Sequence, residues 1–481
     1  MKNVESNVNK HRWLILFTVV SMTFMCCLDS SIVNVALPVM ADKLSVTMAS
    51  IQWVVTSYLI LISATILIFG RLGDMKGKTY IFKFGIILFT FGSLMCGLSS
   101  SLGFLVFSRV VQAIGAAATM ATSQGIITQV FPSSERGRAL GISGSFVALG
   151  IMVGPPLGGF IVSVISWKCI FLINVPIGII TFFMSTKNFP KAITNKDERL
   201  DFSGAVLFTL AVVILFGAMN KGQEYGYTHP IIIIAILSAL AFLFAFIKVE
   251  KKVAMPLLQL EIFENKLFSI SVFCAFISFV AISCSNIIQP FYLQSVLKLT
   301  PKTTGMFMMV YPLILTIVAP ASGHLSDKIG SEFLTFVGLI LTSIGLFLMS
   351  TLTDHSNLLV MCIYIAIMSV GNGLFQSPNN SLVMSTVPRD KLGVAGSING
   401  LVRNLGMVFG ISLSTTLLYN RMSYKIGYHI TNFVQGREDV FIYGMRWVYI
   451  SASIVCIIGA SITAARLYNK RHEDVKYSQC S

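Results

Sequence analysis

Of the 20 Asp and Glu residues in this 481-residue chain, only Asp29 falls well inside a long apolar stretch. The others fall in loops, tails or the ends of such stretches. A carboxylate in hydrocarbon costs roughly 2.5–3.5 kcal/mol, so it calls for a wet cavity or a partner. The matching charge is Arg109, which also lies within an apolar stretch. Desolvation favours a neutral carboxyl and a nearby guanidinium favours an ionised one, so a movement that changes either effect lets Asp29 take up or release a proton. That is what coupling to an ion gradient requires. In this reading Asp29 is the proton site, Arg109 tunes it, and Gln112, one turn further along, shapes its surroundings. The competing reading is a buried ion pair that only fixes helix packing.

A second constellation is repeated. Gly70-Arg71-Leu72-Gly73-Asp74-Met75-Lys76-Gly77 returns as Gly323-His324-Leu325-Ser326-Asp327-Lys328-Ile329-Gly330, and both follow G-x-L-x-D-x-x-G. Each aspartate sits among glycines where one apolar stretch turns into the next. There it can cap a helix N-terminus and meet Lys78, Arg136 or Arg138, or it can simply be a solvated turn residue. A third pattern is Gly150, Gly154 and Gly158, four apart on one helical face, which lets a neighbouring helix approach closely while Pro155 and Pro156 loosen the backbone ladder.

The elements that must position these residues are membrane spans. The chain is 55% hydrophobic and 11% charged, against roughly 25% charged in soluble domains. Stretches of about 20 apolar residues, the length needed to cross hydrocarbon with every backbone group satisfied, recur throughout. They are expected at 13–38, 50–72, 80–98, 102–124, 139–161, 168–186, 203–219, 230–249, 268–293, 304–324, 333–352, 357–380, 393–420 and 443–466. The first is too long for a signal-peptide core and reads as a retained span. Most of the 35 Lys and Arg fall on the face that carries both termini, which makes that face cytoplasmic. The net charge of +15 is then a topology signal with anionic lipid as partner, not a mark of nucleic-acid binding. Nine scattered cysteines show neither a disulfide framework nor metal-ligand spacing. Gly73 to Thr79 looks like a phosphate loop but has one residue too few between its glycines and no strand before it. No nucleophile, metal or cofactor constellation suggests an enzyme. Polar connections at 187–201 and 248–266 set off two spans between two sets of six. The expected organisation is an N-terminal six-helix bundle (1–190), two inserted helices with their linkers (191–266) and a C-terminal six-helix bundle (267–481).

With its repeat, the chain resembles the major facilitator superfamily, and in particular its fourteen-helix drug:proton antiporter branch. Leu28-Asp29-Ser30-Ser31-Ile32-Val33-Asn34-Val35-Ala36-Leu37-Pro38 looks like the branch's first-helix signature. Arg109-Val110-Val111-Gln112-Ala113-Ile114-Gly115 is similar to R-x-x-Q-G-x-G, with Ala113 replacing a glycine. Gly150-Ile151-Met152-Val153-Gly154-Pro155-Pro156-Leu157-Gly158-Gly159 looks like the antiporter motif. Trp167 to Pro176 and Gln289 to Gln294 match further signatures.

The resemblance implies an all-α major facilitator fold. It also implies that Gly70, Asp74, Gly77, Lys78, Arg136, Gly323, Asp327 and Gly330 latch a cytoplasmic gate, and that the helix 5 motif, Gly159 included, marks an exporter rather than a nutrient importer. A central cavity would be lined from Asn34, Trp53, Tyr58, Gln112, Gln289, Tyr292, Gln294, Asn372, Phe375, Gln376 and Asn379, where aromatic faces alternate with amides as suits varied, mostly apolar ligands. The expected function is export of lipophilic neutral or monocationic compounds across the cell membrane by a monomer, driven by the proton gradient and without a cofactor. Export of one dedicated metabolite, lipid precursor or antibiotic is the alternative, and a non-transporting membrane receptor a remote one.

Overall fold

The computed structural model describes residues 2–190, 199–253, 255–388 and 392–480. The stretch 191–198 of the expected insertion and the side chains of Arg136 and Asp327 lie outside the described residues. Among the described residues, fourteen helices are long and apolar enough to cross a membrane: α1 Arg12–Lys43, α2 Met48–Lys76, α3 Lys78–Leu98, α4 Leu102–Val130, α5 Arg138–Val164, α6 Cys169–Asn188, α7 Phe202–Gln223, α8 Pro230–Glu250, α9 Lys266–Val296, α10 Pro301–Ser326, α11 Ser331–Met349, α12 Leu358–Ser385, α13 Val394–Ile426 and α14 Glu438–Leu467. The fold is all-helical among the described residues. Helices are the economical solution because each satisfies its own backbone where water is absent.

Several helices run past their apolar cores and are stopped by local chemistry. Ser101, Asn265 and Asn357 accept backbone N–H bonds at the starts of α4, α9 and α12. The tight links between α2 and α3 and between α10 and α11 are made by Gly77 at φ 93° and Gly330 at φ 90°. A side chain is strained in that left-handed region, so the closing glycine of each G-x-L-x-D-x-x-G copy has a backbone reason. Gly77 is itself the N-cap of α3, and no side chain bonds there. The cap expected from Asp74 is therefore absent, because the aspartate ends up inside α2 instead of at the start of α3.

The chain forms two compact units, Met1–Leu260 with Leu299–Met306, and Glu261–Lys298 with Phe307–Ser481. In the first unit α1 packs along α5, α3 along α4, and α2 on α4. The inserted pair α7 and α8 pack on each other, and α7 lies on α2, where the Thr209 hydroxyl donates to the Ala64 carbonyl at 3.3 Å. The second unit repeats the pattern with α9 along α13, α11 along α12, and α10 on α12. Glycines make the crossings close. A Cβ on Gly85 would meet the Gly115 carbonyl at 2.8 Å, and one on Gly338 would meet the Gly371 carbonyl at 2.7 Å.

Candidate functional site

Asp29 and Arg109 meet within the first unit, both fully buried. Arg109 Nη1 donates to Asp29 Oδ2 in a short, direct ion pair. The other carboxylate oxygen, Oδ1, accepts from Gln112 Nε2 at 2.9 Å and from Asn174 Nδ2 at 2.9 Å. Four helices thus converge on one carboxylate: α1 brings the acid, α4 brings Arg109 and Gln112, α6 brings Asn174, and α3 brings Ser93, whose hydroxyl accepts from Gln112 Nε2 at 2.8 Å.

The guanidinium is held through Nε and Nη1, while its Nη2 is buried without a hydrogen-bond partner. Its Nε donates to the Val54 carbonyl on α2 at 2.9 Å, and Nη1 also donates to Gln112 Oε1 at 2.6 Å. Its carbon lies 4.1 Å from the Tyr58 ring centroid and 5.5 Å from that of Phe171. Two aromatic faces supply the attraction that water would otherwise give a cation. Close approach makes this possible. A Cβ on Gly92 of α3 would stand 2.5 Å from the Gln112 backbone nitrogen, so only glycine lets α3 and α4 come near enough for Gln112 to reach both Asp29 and Ser93.

This arrangement is an ion pair sealed from solvent, with the carboxylate bound through both oxygens. Removing one charge from such a pair strands the other and costs about 3–5 kcal/mol. Protonation of Asp29 and retention of the Arg109 contact therefore compete. The group here that can change its charge is the Asp29 carboxyl, held between α1, α4 and α6.

Asn174 and Ser93 were not singled out as site residues from the sequence. Asn174 does lie inside the Trp167 to Pro176 signature, which is the signal that could have found it. Locally this segment breaks into a turn at Cys169–Leu172 and a helix at Asn174–Asn188. The break places Asn174 in the first turn of the longer helix, directed at Asp29, with Phe171 over the guanidinium.

The glycine ridge of α5 packs against the helix that carries the acid. A Cβ on Gly150 would meet the Phe24 carbonyl at 2.7 Å, one on Gly154 would strike Ser31 Oγ, and one on Gly158 would meet the Ile32 carbonyl at 2.8 Å. Ser31 Oγ also donates to the Gly150 carbonyl at 3.2 Å. Gly159 faces elsewhere: added atoms there and on Gly305 would strike the carbonyls of Pro301 and Pro155, so Leu299–Met306 and the end of the motif meet backbone to backbone within this unit.

At the repeated motif, Asp74 pairs with Lys78 at 3.0 Å, and the Lys78 stem crosses α4 at Gly125. Arg138 lies over the Trp13 ring at 5.2 Å. Gly70 faces open space, whereas a Cβ on Gly323 would stand 3.1 Å from Ser377 Oγ.

The residues proposed to line a cavity belong to both units. Tyr58 belongs to the ion-pair site. Asn34 and Trp53 in the first unit and Gln294 and Gln376 in the second are half-buried. Gln289 donates to Ser285 Oγ at 2.7 Å, and Tyr292 donates to the Thr353 carbonyl at 2.6 Å. Phe375 packs with Cys274, Leu339 and Ala460 in the core of the second unit. Asn372 and Asn379 of α12 donate to Ser278 Oγ at 3.0 Å and to the Ser271 carbonyl at 3.1 Å on α9, and each leaves a buried Oδ1 without a partner.

Fourteen apolar helices, two units with the same helix packing and a sealed intramembrane ion pair define a multi-pass membrane transporter. The sequence matches the Major Facilitator Superfamily over residues 19–411 and 271–478, and the chain belongs to that superfamily. It is 34% identical to the riboflavin transporter RibZ of Clostridioides difficile, with 94% of this chain and 97% of that protein covered. It is 29% identical to the multidrug resistance protein Stp of Mycobacterium tuberculosis, over 88% of this chain and 79% of that one. Among solved structures it is similar to a bacterial homolog of the human lysosomal transporter Spinster, with TM-score 0.65, 16% identity, and 95% and 96% of the two chains covered. That likeness carries the fold alone. The activity is transport rather than enzymatic chemistry.

Proposed function

We propose that this transporter is a proton-coupled exporter of lipophilic neutral or monocationic compounds, of the fourteen-helix drug:proton antiporter type. In this reading it works in the cell membrane with both termini cytoplasmic. α7 and α8 with their linkers (191–266) are an insertion between two six-helix halves, anionic lipids surround the basic loops, and a monomer suffices without any cofactor. The observation that carries the reading is the sealed contact of Asp29 with Arg109, Gln112 and Asn174. A carboxylate so placed can exchange its proton only when the helices around it move, and that links protonation to conformation. The similarity to a protein named for multidrug resistance supports export of varied compounds. A single intramembrane acid leaves too little negative charge to favour dications.

The test is reconstitution into liposomes with an imposed pH gradient, following dye efflux by the wild type and Asp29→Asn. The wild type should couple efflux to the gradient and the variant should not; equal gradient-driven efflux by both would remove Asp29 from the mechanism. The 34% identity to a riboflavin transporter over nearly the whole chain favours a second reading, carriage of one dedicated metabolite with a flavin-like ring system. A competition panel separates the two. Inhibition by riboflavin alone supports the dedicated carrier, and inhibition by unrelated lipophilic cations supports the multidrug exporter.

A further inference from the structure

Ionised Asp29 can only accept hydrogen bonds, whereas a protonated Asp29 carries an O–H that must find an acceptor. Two oxygens near the ion pair are buried without a hydrogen-bond partner, the Tyr58 hydroxyl and Asn174 Oδ1, and of these two residues Asn174 is the one already bonded to the carboxylate. Gln112 Oε1 is taken by Arg109 Nη1 at 2.6 Å and faces the Cys96 thiol at 3.8 Å, and Gln112 Nε2 serves Asp29 and Ser93. Asn174 differs: its Nδ2 donates to Asp29 Oδ1, while its own Oδ1 is buried and has no hydrogen-bond partner. A buried carbonyl oxygen without a partner is unfavourable enough to need a reason.

From this geometry we infer that Asn174 is a two-way partner of Asp29, donating through Nδ2 when the acid is ionised and, after a half-turn of its amide, accepting through Oδ1 when the acid is protonated. The inference rests on the proposed role of Asp29 as the proton site, and it makes Asn174 a positioning residue for that proton. The half-turn exchanges two groups of nearly equal size, so it needs no new space. It lets the neutral acid stay hydrogen-bonded while fully buried. An asparagine at the first turn of its helix is well suited to this, since its backbone is fixed by the helix while its amide stays free to turn. The titratable groups around the carboxylate are Arg109 from α4, Tyr58 from α2, Cys26 from α1 and Cys96 from α3. Of these, Arg109 only donates; the Tyr58 hydroxyl can accept, but Asn174 is the residue whose amide already contacts the carboxylate.

The test is infrared difference spectroscopy of the full-length protein in lipid, acid minus alkaline, on wild type, Asp29→Asn, Asn174→Leu and Asn174→Thr. The expected wild-type spectrum holds a protonated-carboxyl C=O band that Asp29→Asn abolishes, and a paired asparagine amide band that both Asp29→Asn and Asn174→Leu abolish. In Asn174→Leu the carboxyl band should move towards the position of an unbonded acid, and gradient-driven efflux should fall about tenfold. Should Asn174→Leu fail to fold, Asn174→Thr keeps a hydroxyl that can donate or accept. It should lose the amide pair while retaining a bonded carboxyl band. A carboxyl band present but unmoved in Asn174→Leu, or an amide pair that persists in Asn174→Thr, overturns the two-way role and leaves Asp29 as the proton site. The absence of any carboxyl band sensitive to Asp29→Asn removes the proton site itself, and the inference goes with it.

Discussion

The two units are built on one packing scheme, but among the described residues only the first holds a fully buried ion pair; in the second, Glu332 is buried and Arg466 donates to the Ser271 and Thr335 hydroxyls. In the first, α5 meets α1 where a Cβ on Gly150 would touch the Phe24 carbonyl at 2.7 Å; in the second, one on Gly406 would touch the Phe276 carbonyl at 2.9 Å. Ser31 lies under Gly154 as Ser283 lies under Gly410. The α3–α4 crossing sets Gly92 against Gln112, and the α11–α12 crossing sets Gly345 against Met368. This register carries Asp29, two residues before Ser31, onto Ala281. It carries Arg109, one turn before Gln112, onto Ile365. Ala281, Ile365 and Met368 are all buried. The comparison teaches that close helix contact and a buried ion pair are separable. Glycine positions recur in both units because backbone must meet backbone, while a buried ion pair is costly and is present where the proposed coupling needs it.

The sharpest way to break the comparison is to remove the guanidinium. Arg109→Met should strand the Asp29 charge and destabilise the protein by about 3–5 kcal/mol, whereas Ile365→Met at the matching place should cost less than about 1.5 kcal/mol. Thermal melting of the purified variants reads both, and equal melting temperatures would mean that the charge asymmetry has no energetic content. A smaller effect should be shared by the two units. Gly92→Ala and Gly345→Ala each push a methyl against a neighbouring backbone and should each lose about 1–3 kcal/mol. A large loss in one and none in the other would contradict the common packing. The smallest stability effect belongs to Asp74→Asn. Its pair with Lys78 is part-exposed, 42% for Asp74 and 26% for Lys78, so its loss should change stability by less than about 1 kcal/mol. Transport should nevertheless fall at normal expression, as measured by dye efflux against membrane protein level. Lost expression would show that the motif serves folding instead.

Much of this was legible in the sequence because the signals are local. Each span announces itself by some twenty apolar residues, and the closing glycine of each repeated motif, Gly77 and Gly330, occupies a place where a side chain would be strained. The pairing of Asp29 with Arg109 could be read by elimination, since a buried acid needs a cation and the spans offer few. The local partners of the cavity group are another matter. That Phe375 packs with Cys274, Leu339 and Ala460, and that Asn372 and Asn379 bond to α9, is read from the structure, because helical periodicity gives a residue's face and not the neighbour that face will meet.

The amino-acid order by itself determined the fourteen membrane helices, the duplicated turn motif and the isolation of one acid in an apolar stretch, since each follows from a run of adjacent residues meeting lipid or a tight turn. Only the tertiary structure decided that Asn174, 145 positions from Asp29, completes the carboxylate's shell. It also decided that Tyr58 and Phe171 cover the guanidinium and that Gly92 admits Gln112 to the site. Those meetings depend on how four helices cross, and crossing is set by the summed packing of many side chains rather than by any short stretch of sequence.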